Sequence, residues 1–424
     1  MSETIKPIDK KLKDVDIFDP ELMGCPHSYF KKLRDEAPVF QDPTTGIFQV
    51  SKHELICQVA RDAKLFSNQF GAVQRSGGQE YPQEAADILI NEGYPPVDTM
   101  LTADPPRHTR YRSLVDKAFA PARVSELGPN IDEKINFIID QFYDSGKCEV
   151  TTQISKQLPI RVIAEQLGVP MDDYDKFSNW SDAFVAQLSG TSSPEEHIEI
   201  AKKLVQFQQY FANKLDESED NASDDILSDL ANLTFEDDDG VNRKLEKSEQ
   251  LSIIQQLLVA GNATTAHSIS EAIYLLIANP DQMDLVLNDY KLIPNMVEES
   301  LRLLTPTNNM WRIATADTEL GGVKIPKNSL IIIRYGSGNR DEDLFENPDK
   351  FDVTRKNARR HVAFGQGIHV CIGMNLARKE MYTAFPIILD RLKNMRFGED
   401  NDFVYSPNVL LRGLNKLNIE FDAN

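Results

Sequence analysis

The sequence predicts a mainly α-helical protein with small β-sheets, because long apolar-periodic segments outweigh short strand-like ones. Residues 251–279 are apolar on most faces of a helix, and Pro280 directly after them favours an end there. A helix of about 29 residues is about 43 Å long and, being apolar nearly all round, should run through the interior. Further helices are predicted at 281–290, 294–304 and 372–392, and strands at 310–315, 318–324 and 330–335.

One large domain is predicted over residues 1–424. Length alone permits two or three domains, but no repeat and no linker divides the chain. The most polar segment, 216–250, contains three successive aspartates and a glycine at 237–240. This run lacks the alternating oxygen ligands and the distal glutamate of a calcium loop, so a solvated loop is predicted.

The formal net charge of −20 limits the partners of this chain. An acidic surface repels nucleic acid and anionic membrane, so neither is expected as a partner. Residues 1–20 contain no apolar core of a signal peptide, and no apolar run is long enough to cross a bilayer. The sequence therefore predicts a cytoplasmic protein.

The four cysteines, Cys25, Cys57, Cys148 and Cys371, are far apart and form no Cys-x-x-Cys pair. Disulfides are not expected in a reducing compartment. The first three are interpreted as small buried hydrophobic residues. Cys371 differs from them because of its neighbours.

Cys371 lies in a segment rich in glycine. Gly365, Gly367 and Gly373 surround it, and glycines allow positive φ and close approach of the backbone to a flat ligand. The predicted helix that begins at Ile372 would place free N–H groups and partial positive charge near the sulfur. Both favour the thiolate, which is the form of cysteine that ligates metals.

Two neighbours extend this candidate site. His369 can donate a hydrogen bond to an anionic group of a ligand, and Phe364 can pack on a macrocycle. A dinucleotide-binding loop would need glycine where Val370 stands. A nucleophilic pair of Cys371 and His369 stays open, although the spacing does not favour it. A buried structural cysteine would not explain the three glycines.

The string Phe-Gly-x-Gly-x-His-x-Cys-x-Gly over residues 364–373 resembles the cytochrome P-450 family, in particular its soluble bacterial class. The likeness extends over nearly the whole chain and is strongest from Leu251 onward. It implies a mainly helical fold with small sheets, in which heme b (iron protoporphyrin IX) lies between the long central helix and the cysteine loop. Cys371 is then the axial ligand of the iron, with Phe364, His369 and Gly373 beside the heme.

Glu299 and Arg302 are three residues apart, so their side chains share one helix face. Alone, this would be a surface ion pair worth about 0.3–0.5 kcal/mol. It also resembles the Glu-x-x-Arg pair of the family, which joins a further arginine before the cysteine loop. Arg355 matches that arginine, and the resemblance implies a buried charge cluster that fixes the loop carrying Cys371.

The segment Asp104–Arg112 resembles the Asp-Pro-Pro-x-His-x-x-x-Arg segment of the family, whose histidine and arginine bind the heme propionates. His108 and Arg112 are four residues apart and share a helix face. Without a ligand, they would form an ion site at a helix start. Arg312 matches a third propionate partner. With His369, four cationic or donor groups serve two carboxylates, which is chemically sensible.

The long helix contains Gly261, Ala263 and Thr264, where the family binds dioxygen. Gly261 weakens a helix and Thr264 can hydrogen-bond back to a carbonyl, so they can open a groove for a small ligand. The family usually has an acid before the threonine, and such a proton relay is worth about 10²–10⁴-fold in rate. Ala263 stands in its place. Three explanations stay open: proton delivery by water or a substrate hydroxyl, use of hydrogen peroxide, or an engineered replacement of the acid.

By resemblance, the pocket walls come from segments 70–100, 257–264, 307–311 and 409–411. Most of these are apolar, which predicts a small, largely hydrophobic organic substrate. The side chains assigned to the pocket are Leu257, Asn308, Asn309, Met310 and Leu410. The asparagines either cap a strand or contact substrate. In the second case an oxygen-bearing terpenoid, steroid or methoxylated compound is favoured.

A basic cluster of Arg355, Lys356, Arg359 and Arg360 lies just before the cysteine loop of this acidic chain. Solvated charge is the plain interpretation, with Arg355 internal. The functional interpretation is docking of an acidic electron donor near the proximal side of the heme. The resemblance implies an external ferredoxin and ferredoxin reductase as donors, and a monomer is expected.

The resemblance thus implies a heme-thiolate monooxygenase, an oxidoreductase that inserts one atom of dioxygen into its substrate by hydroxylation or oxidative O-demethylation. The missing acid keeps a second class open, which is a peroxide-driven peroxygenase or a heme-thiolate isomerase or dehydratase. A non-catalytic heme sensor is a third class. The retained Thr264 and the pocket-like segments argue against that third class.

Overall fold

The structure is a computed structural model that describes residues 10–71, 81–187, 189, 192–221, 223–237 and 240–423. Helices form most of it and the sheets are small, which confirms the predicted class. The α-helices are α1 Pro20–Gly24, α2 His27–Glu36, α3 His53–Arg61, α4 Gln83–Glu92, α5 Arg107–Asp116, α6 Pro121–Glu126, α7 Gly128–Asp140, α8 Gln157–Gln166, α9 Tyr174–Gln187, α10 Pro194–Asp220, α11 Ile226–Asn232, α12 Lys247–Ala278, α13 Pro280–Asn288, α14 Ile293–Leu304, α15 Tyr335–Gly338 and α16 Met374–Arg391. The strands are β1 Val39–Gln41, β2 Phe48–Val50, β3 Phe66–Ser67, β4 Lys147–Glu149, β5 Thr234–Glu236, β6 Asn242–Lys244, β7 Met310–Ala314, β8 Thr318–Leu320, β9 Val323–Ile325, β10 Leu330–Ile333, β11 Lys393–Phe397 and β12 Asn418–Asp422.

The described residues divide into two compact units. The first unit is drawn from 1–67, 127–158 and 264–424, and the second from 68–126 and 159–263. The division between Ala263 and Thr264 falls inside α12, which continues as one helix. A single domain over 1–424 stays a prediction.

The first unit contains a five-stranded sheet in the order β1-β2-β10-β7-β3. Strand β10 runs parallel to β2 and antiparallel to β7, so that Ile332 lies opposite both Gln49 and Trp311. Apolar side chains of this sheet and of α3 form one buried core, to which Val362 also belongs. Because Val362 directly precedes the cysteine segment, the sheet anchors the start of that segment.

Two strand predictions in this unit need correction. The single strand predicted at 318–324 is wrong, because Gly321 and Gly322 adopt φ of +55° and +79° and reverse the chain between β8 and β9. The strand predicted at 330–335 ends at Ile333, since the carbonyl of Arg334 accepts the N–H groups of Ser337 and Gly338 in the turn that becomes α15.

The second unit is helical around an aromatic cluster from α9 and α10. Phe177 and Phe211 lie 5.5 Å apart between ring centres, and Trp180 and Phe207 lie 5.8 Å apart. The rings therefore pack edge to face, and this geometry stabilises the cluster beyond the burial of apolar surface.

The aspartate run at 237–240 also differs from prediction. The carboxylate of Asp237 is not merely solvated but accepts hydrogen bonds from Arg110 and Arg243, both at 2.6 Å. Asp238 and Asp239 lie outside the described residues, as do residues 72–80 of the predicted pocket segment.

Helix α12 begins four residues before its predicted start and ends one residue before its predicted end. Its buried apolar residues include Ile253, Leu258, Ile269, Ile273 and Leu276, which confirms an interior helix. Within the described ranges, no helix is long and apolar enough to cross a membrane.

Candidate functional site

Cys371 lies between a short 3-10 turn at Gly367–His369 and the start of α16. Its backbone N–H donates to the carbonyl of Phe364 at 2.8 Å, so the segment closes on itself and is hereafter called the cysteine loop, residues 362–373. The thiol of Cys371 is exposed. Its sulfur is therefore accessible to a ligand that approaches the loop.

Two glycines of the cysteine loop are required by its backbone. Gly365 and Gly367 have φ of +69° and +74°, in the region that L side chains rarely adopt. A Cβ on Gly367 would also lie 2.4 Å from the carbonyl oxygen of Ala60, because the loop packs against the end of α3. Gly373 differs, since its φ is −81° and it serves as the N-cap of α16. The backbone at Gly373 therefore does not require glycine.

The helix predicted to begin at Ile372 begins at Met374 instead. The carbonyl of Cys371 accepts the N–H of Met374 at 3.4 Å in a turn that precedes the regular helix. The field of a helix terminus falls off within one turn. The N-terminus of α16 consequently contributes less at the sulfur than the sequence predicts, and other charges near the loop matter more.

Glu299 lies fully buried in α14 and binds two arginines. Nε of Arg302 donates to its Oε2 at 2.7 Å, and Nε of Arg355 donates to its Oε1 at 2.9 Å. Nη2 of Arg302 also donates to Oε1 of Glu299 at 2.8 Å. Further N–H groups of the two arginines donate to backbone carbonyls, such as those of Asn339 and Glu346. Buried charges are tolerated when they are paired and hydrogen-bonded in this way. The ion pairs that the sequence predicts are therefore present.

A direct hydrogen-bond route joins this cluster to the cysteine loop. Nη1 of Arg302 donates to the carbonyl of Asn339 at 2.8 Å, and the N–H of Val362 donates to Oδ1 of Asn339 at 2.7 Å. The amide of Asn339 is itself held by Oγ1 of Thr305 at 2.8 Å. This route supports the prediction that Glu299, through Arg302, fixes the loop.

Sequence reasoning missed Glu298, which is also fully buried in α14. Its carboxylate accepts from Nε and Nη2 of Arg378 at 2.7 and 2.8 Å, from the hydroxyl of Tyr382 at 2.6 Å, and bonds Nε2 of His361 at 3.1 Å. Burial alone would raise the pKa of Glu298, but these bonds outweigh it and hold the pKa well below its ordinary value. Its partners follow 63 to 84 residues later, so no local pattern announces them.

Arg312, a predicted propionate partner, is buried in β7. Its Nη1 donates to the carbonyl of Trp311 at 2.6 Å. Burial raises the pKa of the nearby Tyr335 hydroxyl, and the positive charge of Arg312 opposes that rise. His369 is half-buried in the cysteine loop. Propionate binding by Arg312 and His369 stays a prediction.

His108 and Arg112, the other two predicted propionate partners, lie four residues apart on α5. His108 is buried, and burial together with the charge of Arg112 lowers its pKa. Nε of Arg112 donates to Asp116 at 3.1 Å on the same helix. Their role toward a propionate stays a prediction.

Gly261, Ala263 and Thr264 lie on α12, which is regular α-helix throughout their segment. The helix continues through Gly261, because one glycine costs only about 1 kcal/mol in a helix of this length. The groove for a small ligand at Gly261 stays a prediction. A Cβ on Gly261 would make ordinary contact with Ile163 at 3.9 Å. Ala263 is buried, and the carbonyl of Thr264 accepts the hydroxyl of Ser268 at 2.8 Å.

The predicted pocket residues near β7 contact the chain segment around Leu410. The N–H groups of Asn308 and Asn309 both donate to the carbonyl of Leu410, at 2.8 and 3.2 Å. Nδ2 of Asn309 donates to the carbonyl of Val409 at 2.7 Å. Asn309 therefore ties the 409–411 segment to the start of β7.

The apolar side chains assigned to the pocket lie mostly inside the protein. Leu257 and Leu410 are buried and Met310 is half-buried. Substrate contact by these side chains stays a prediction.

The residues of the cysteine loop fit a heme. A macrocycle supplies four donors to iron, so a single protein thiolate is a sufficient donor set. Cys371 offers an exposed sulfur, and the half-buried ring of Phe364 belongs to the same loop. A mainly helical scaffold with one such loop is that of a heme-thiolate protein.

Comparison with known proteins gives the family. The family model described as Cytochrome P450 matches residues 78–412. The chain belongs to the cytochrome P450 family, whose members bind heme b through a cysteine thiolate, and it is a monooxygenase of that family.

Curated relatives and solved structures agree with this assignment. Linalool 8-monooxygenase of Pseudomonas putida is 32% identical over 96% of this chain and 98% of its own. Steroid C26-monooxygenase of Rhodococcus jostii is 33% identical over 90% of this chain and 79% of its own. The structure of cytochrome P450 CREJ in complex with (4-ethylphenyl) dihydrogen phosphate matches with a TM-score of 0.88 and 28% identity, over 97% of this chain and 100% of that one.

Proposed function

We propose that Cys371 is the axial heme ligand of this monooxygenase and that one atom of dioxygen is inserted into a small, largely hydrophobic organic substrate. The observation that carries the proposal is the exposed Cys371 thiol within a loop closed by its own N–H to the carbonyl of Phe364. When bound, the heme supplies the oxygen-transfer chemistry. The chain supplies the thiolate, the walls of the substrate pocket and the groups that move protons.

The same proposal assigns the other heme contacts. The two propionates are bound by His108, Arg112, Arg312 and His369. Thr264 supplies a hydroxyl hydrogen bond on the side of the heme where dioxygen binds. Burial of His108 and Arg312 supports this, because a buried donor or guanidinium gains most from an anionic partner. Phe364 and Gly373 lie beside the macrocycle.

The substrate is proposed to be a terpenoid-like or steroid-like compound, oxidised by hydroxylation or O-demethylation. Two relatives are named for a linalool and a steroid oxidation, which supports this class. Buried Leu257 and Leu410 supply apolar surface for it. Asn309 is engaged by Val409, so Asn308 is the better candidate of the two asparagines for contact with a substrate oxygen.

Ala263 favours a second candidate function, a peroxide-driven peroxygenase. Asn262 beside it does not replace the acid, because its amide donates to Oγ of Ser181 at 2.5 Å.

Restoring an acid at position 263 separates the two candidate functions. With NADH, ferredoxin and reductase, Ala263→Glu should raise the amount of product formed per NADH, by up to about 10²-fold if the proton relay is limiting. The measurement is product and NADH consumption side by side, with Ala266→Glu as a matched change on the same helix. Unchanged coupling, together with efficient peroxide-driven turnover of the natural chain, selects the peroxygenase.

The electron donor is proposed to be an external acidic ferredoxin with its reductase. Lys356, Arg359 and Arg360 are exposed, whereas Arg355 is buried in the Glu299 cluster as predicted. Arg61 of α3 is a further exposed cation. Its Nη2 donates to Gln366 at 3.3 Å, which places it beside the cysteine loop. Such a surface attracts an acidic partner on an otherwise acidic protein.

Neutralising this surface tests the docking. The combined Lys356→Ala, Arg359→Ala and Arg360→Ala variant should be reduced by ferredoxin roughly tenfold more slowly at low salt, because steering by complementary charge is lost. Its rate should also depend less on ionic strength. Stopped-flow reduction measures both, with Lys202→Ala on α10 as the control cation. Equal salt dependence in the variant and the natural protein would contradict the docking model.

The remaining assignments are a cytoplasmic location, a monomeric state and no nucleic-acid or membrane partner. The formal net charge of −20 supports the last of these, since it disfavours association with polyanions and anionic surfaces. Size-exclusion chromatography of the heme-loaded protein tests the monomeric state directly.

A further inference from the structure

The cysteine loop is held from two sides by two successive glutamates of α14. Glu299 binds Arg302 and Arg355, and this pair resembles the family pattern. Glu298 binds a different set of side chains. Resting on the proposed function, in which Cys371 ligates iron, we propose that Glu298 is a positioning residue that sets the charge beside the thiolate through Arg378 and fixes the start of the loop through His361.

The contact through His361 has a defined tautomer. Nδ1 of His361 accepts the N–H of Ala363 at 3.1 Å, so this nitrogen carries no proton. The proton therefore lies on Nε2, which donates to Oε2 of Glu298 at 3.1 Å. Glu298 thus orients the imidazole, and the imidazole holds the backbone of Ala363 immediately before Phe364.

The contact through Arg378 leads to Cys371 by way of Phe364. Both nitrogens of the bidentate pair, Nε and Nη2, donate to Glu298, which fixes the plane of the guanidinium. That guanidinium lies 4.8 Å from the ring centre of Phe364, in a cation–π contact. The carbonyl of Phe364 in turn accepts the N–H of Cys371. Three successive contacts therefore link Glu298 to the ligand.

The charges of this arrangement act in opposite directions on the thiolate. Burial lowers the pKa of Arg378, but its hydrogen bonds to Glu298 and the negative charges of Glu298, Tyr382 and Cys371 raise the pKa overall. Arg378 is therefore a cation that is linked to the ligand through Phe364. The carboxylate of Glu298 offsets this cation. Since reduction of heme iron adds one negative charge, a more positive surrounding favours the reduced state.

The arrangement also extends to the protein surface. The hydroxyl of Tyr382 donates to Glu298 at 2.6 Å and accepts from Nη2 of the exposed Arg359 at 3.5 Å. Arg359 belongs to the proposed docking surface. Glu298 thus lies between that surface and the cysteine loop, where a charge can influence electron uptake.

The test is the midpoint potential of the heme-loaded protein in two variants. Glu298→Gln removes the offsetting anion and should shift the midpoint positive. Arg378→Gln removes the cation and should shift it negative. Each shift is expected to change the ferrous-to-ferric ratio at a fixed applied potential on the order of tenfold. Opposite signs are the result that a merely structural role would not produce.

Lys379→Gln is the matched control, because Lys379 carries the same charge on the next position of α16 without contacting Glu298. Shifts of the same sign in both variants, or an Arg378→Gln shift no larger than that of Lys379→Gln, would overturn the proposal. Arg378 keeps 20% of its side chain exposed, so its variant provides the test even where Glu298→Gln does not fold.

Failure of this inference and failure of the proposed function are separable. The carbon monoxide spectrum of the natural reduced protein reports the thiolate ligand independently of either variant. If the natural protein shows a thiolate spectrum but the midpoint potentials of the variants do not shift, only the proposed role of Glu298 is rejected. A spectrum without thiolate ligation rejects the assignment of Cys371 and the inference with it.

Discussion

Replacing Cys371 by serine is expected to abolish the thiolate-type carbon monoxide spectrum and to reduce monooxygenase turnover by at least on the order of 10³-fold, as loss of a principal catalytic group does. A serine hydroxyl neither carries the charge of a thiolate nor pushes electron density to iron in the same way. The exchange is sterically mild, because serine differs from cysteine only in having oxygen in place of sulfur. The loss should therefore be chemical and not a loss of fold.

The measurement is the Soret band of the reduced carbon monoxide complex, which lies to the red for thiolate ligation. Cys57 and Cys148 are buried as the sequence predicts, but the buried interpretation of Cys25 is wrong, because Cys25 is exposed at the end of α1. Cys25→Ser is therefore the matched control. The control should retain both the red-shifted band and turnover. A red-shifted band that persists in Cys371→Ser would show that another residue is the ligand.

The parts of this fold that follow from local sequence were predictable. The apolar run of α12 gives an interior helix whichever chain segments surround it, because its pattern of side chains leaves no polar face. The pair Glu299 and Arg302 is likewise local, as three residues along a helix bring two side chains together. The glycines Gly365 and Gly367 announce a left-handed backbone that other residues rarely adopt.

The rest depends on partners far along the chain. Glu298 gains its meaning from His361, Arg378 and Tyr382, and Asp237 pairs with Arg110 across 127 residues. The start of α16 was also not predicted. A turn closed by the hydrogen bond from Met374 to Cys371 precedes the helix, and helix propensity does not indicate such a turn. A periodic pattern records which face of an element is apolar, but it does not record which charged group will meet that face.

Glu299→Gln is expected to destabilise the folded protein by about 3–5 kcal/mol, because one partner of a buried ionic network is removed and the others keep their charge. Arg302 is 0% exposed and Arg355 is 8% exposed, so water cannot take over the lost role. The amide nitrogen of glutamine would also face guanidinium donors where an oxygen accepted them before. A loss of this size is a large part of the stability of an ordinary domain, about 5–15 kcal/mol.

Urea unfolding followed by far-ultraviolet circular dichroism measures this effect, and heme retention reports the cysteine loop in the same samples. The route from Arg302 through Asn339 to Val362 predicts that heme is lost at lower urea than the helices. Glu199→Gln is the control, because Glu199 pairs with Lys202 on the surface of α10 and its midpoint should be unchanged. If Glu299→Gln unfolded at the same urea concentration as that control, the buried cluster would not support the loop, and the tie between α14 and Cys371 would have to run through Glu298 alone.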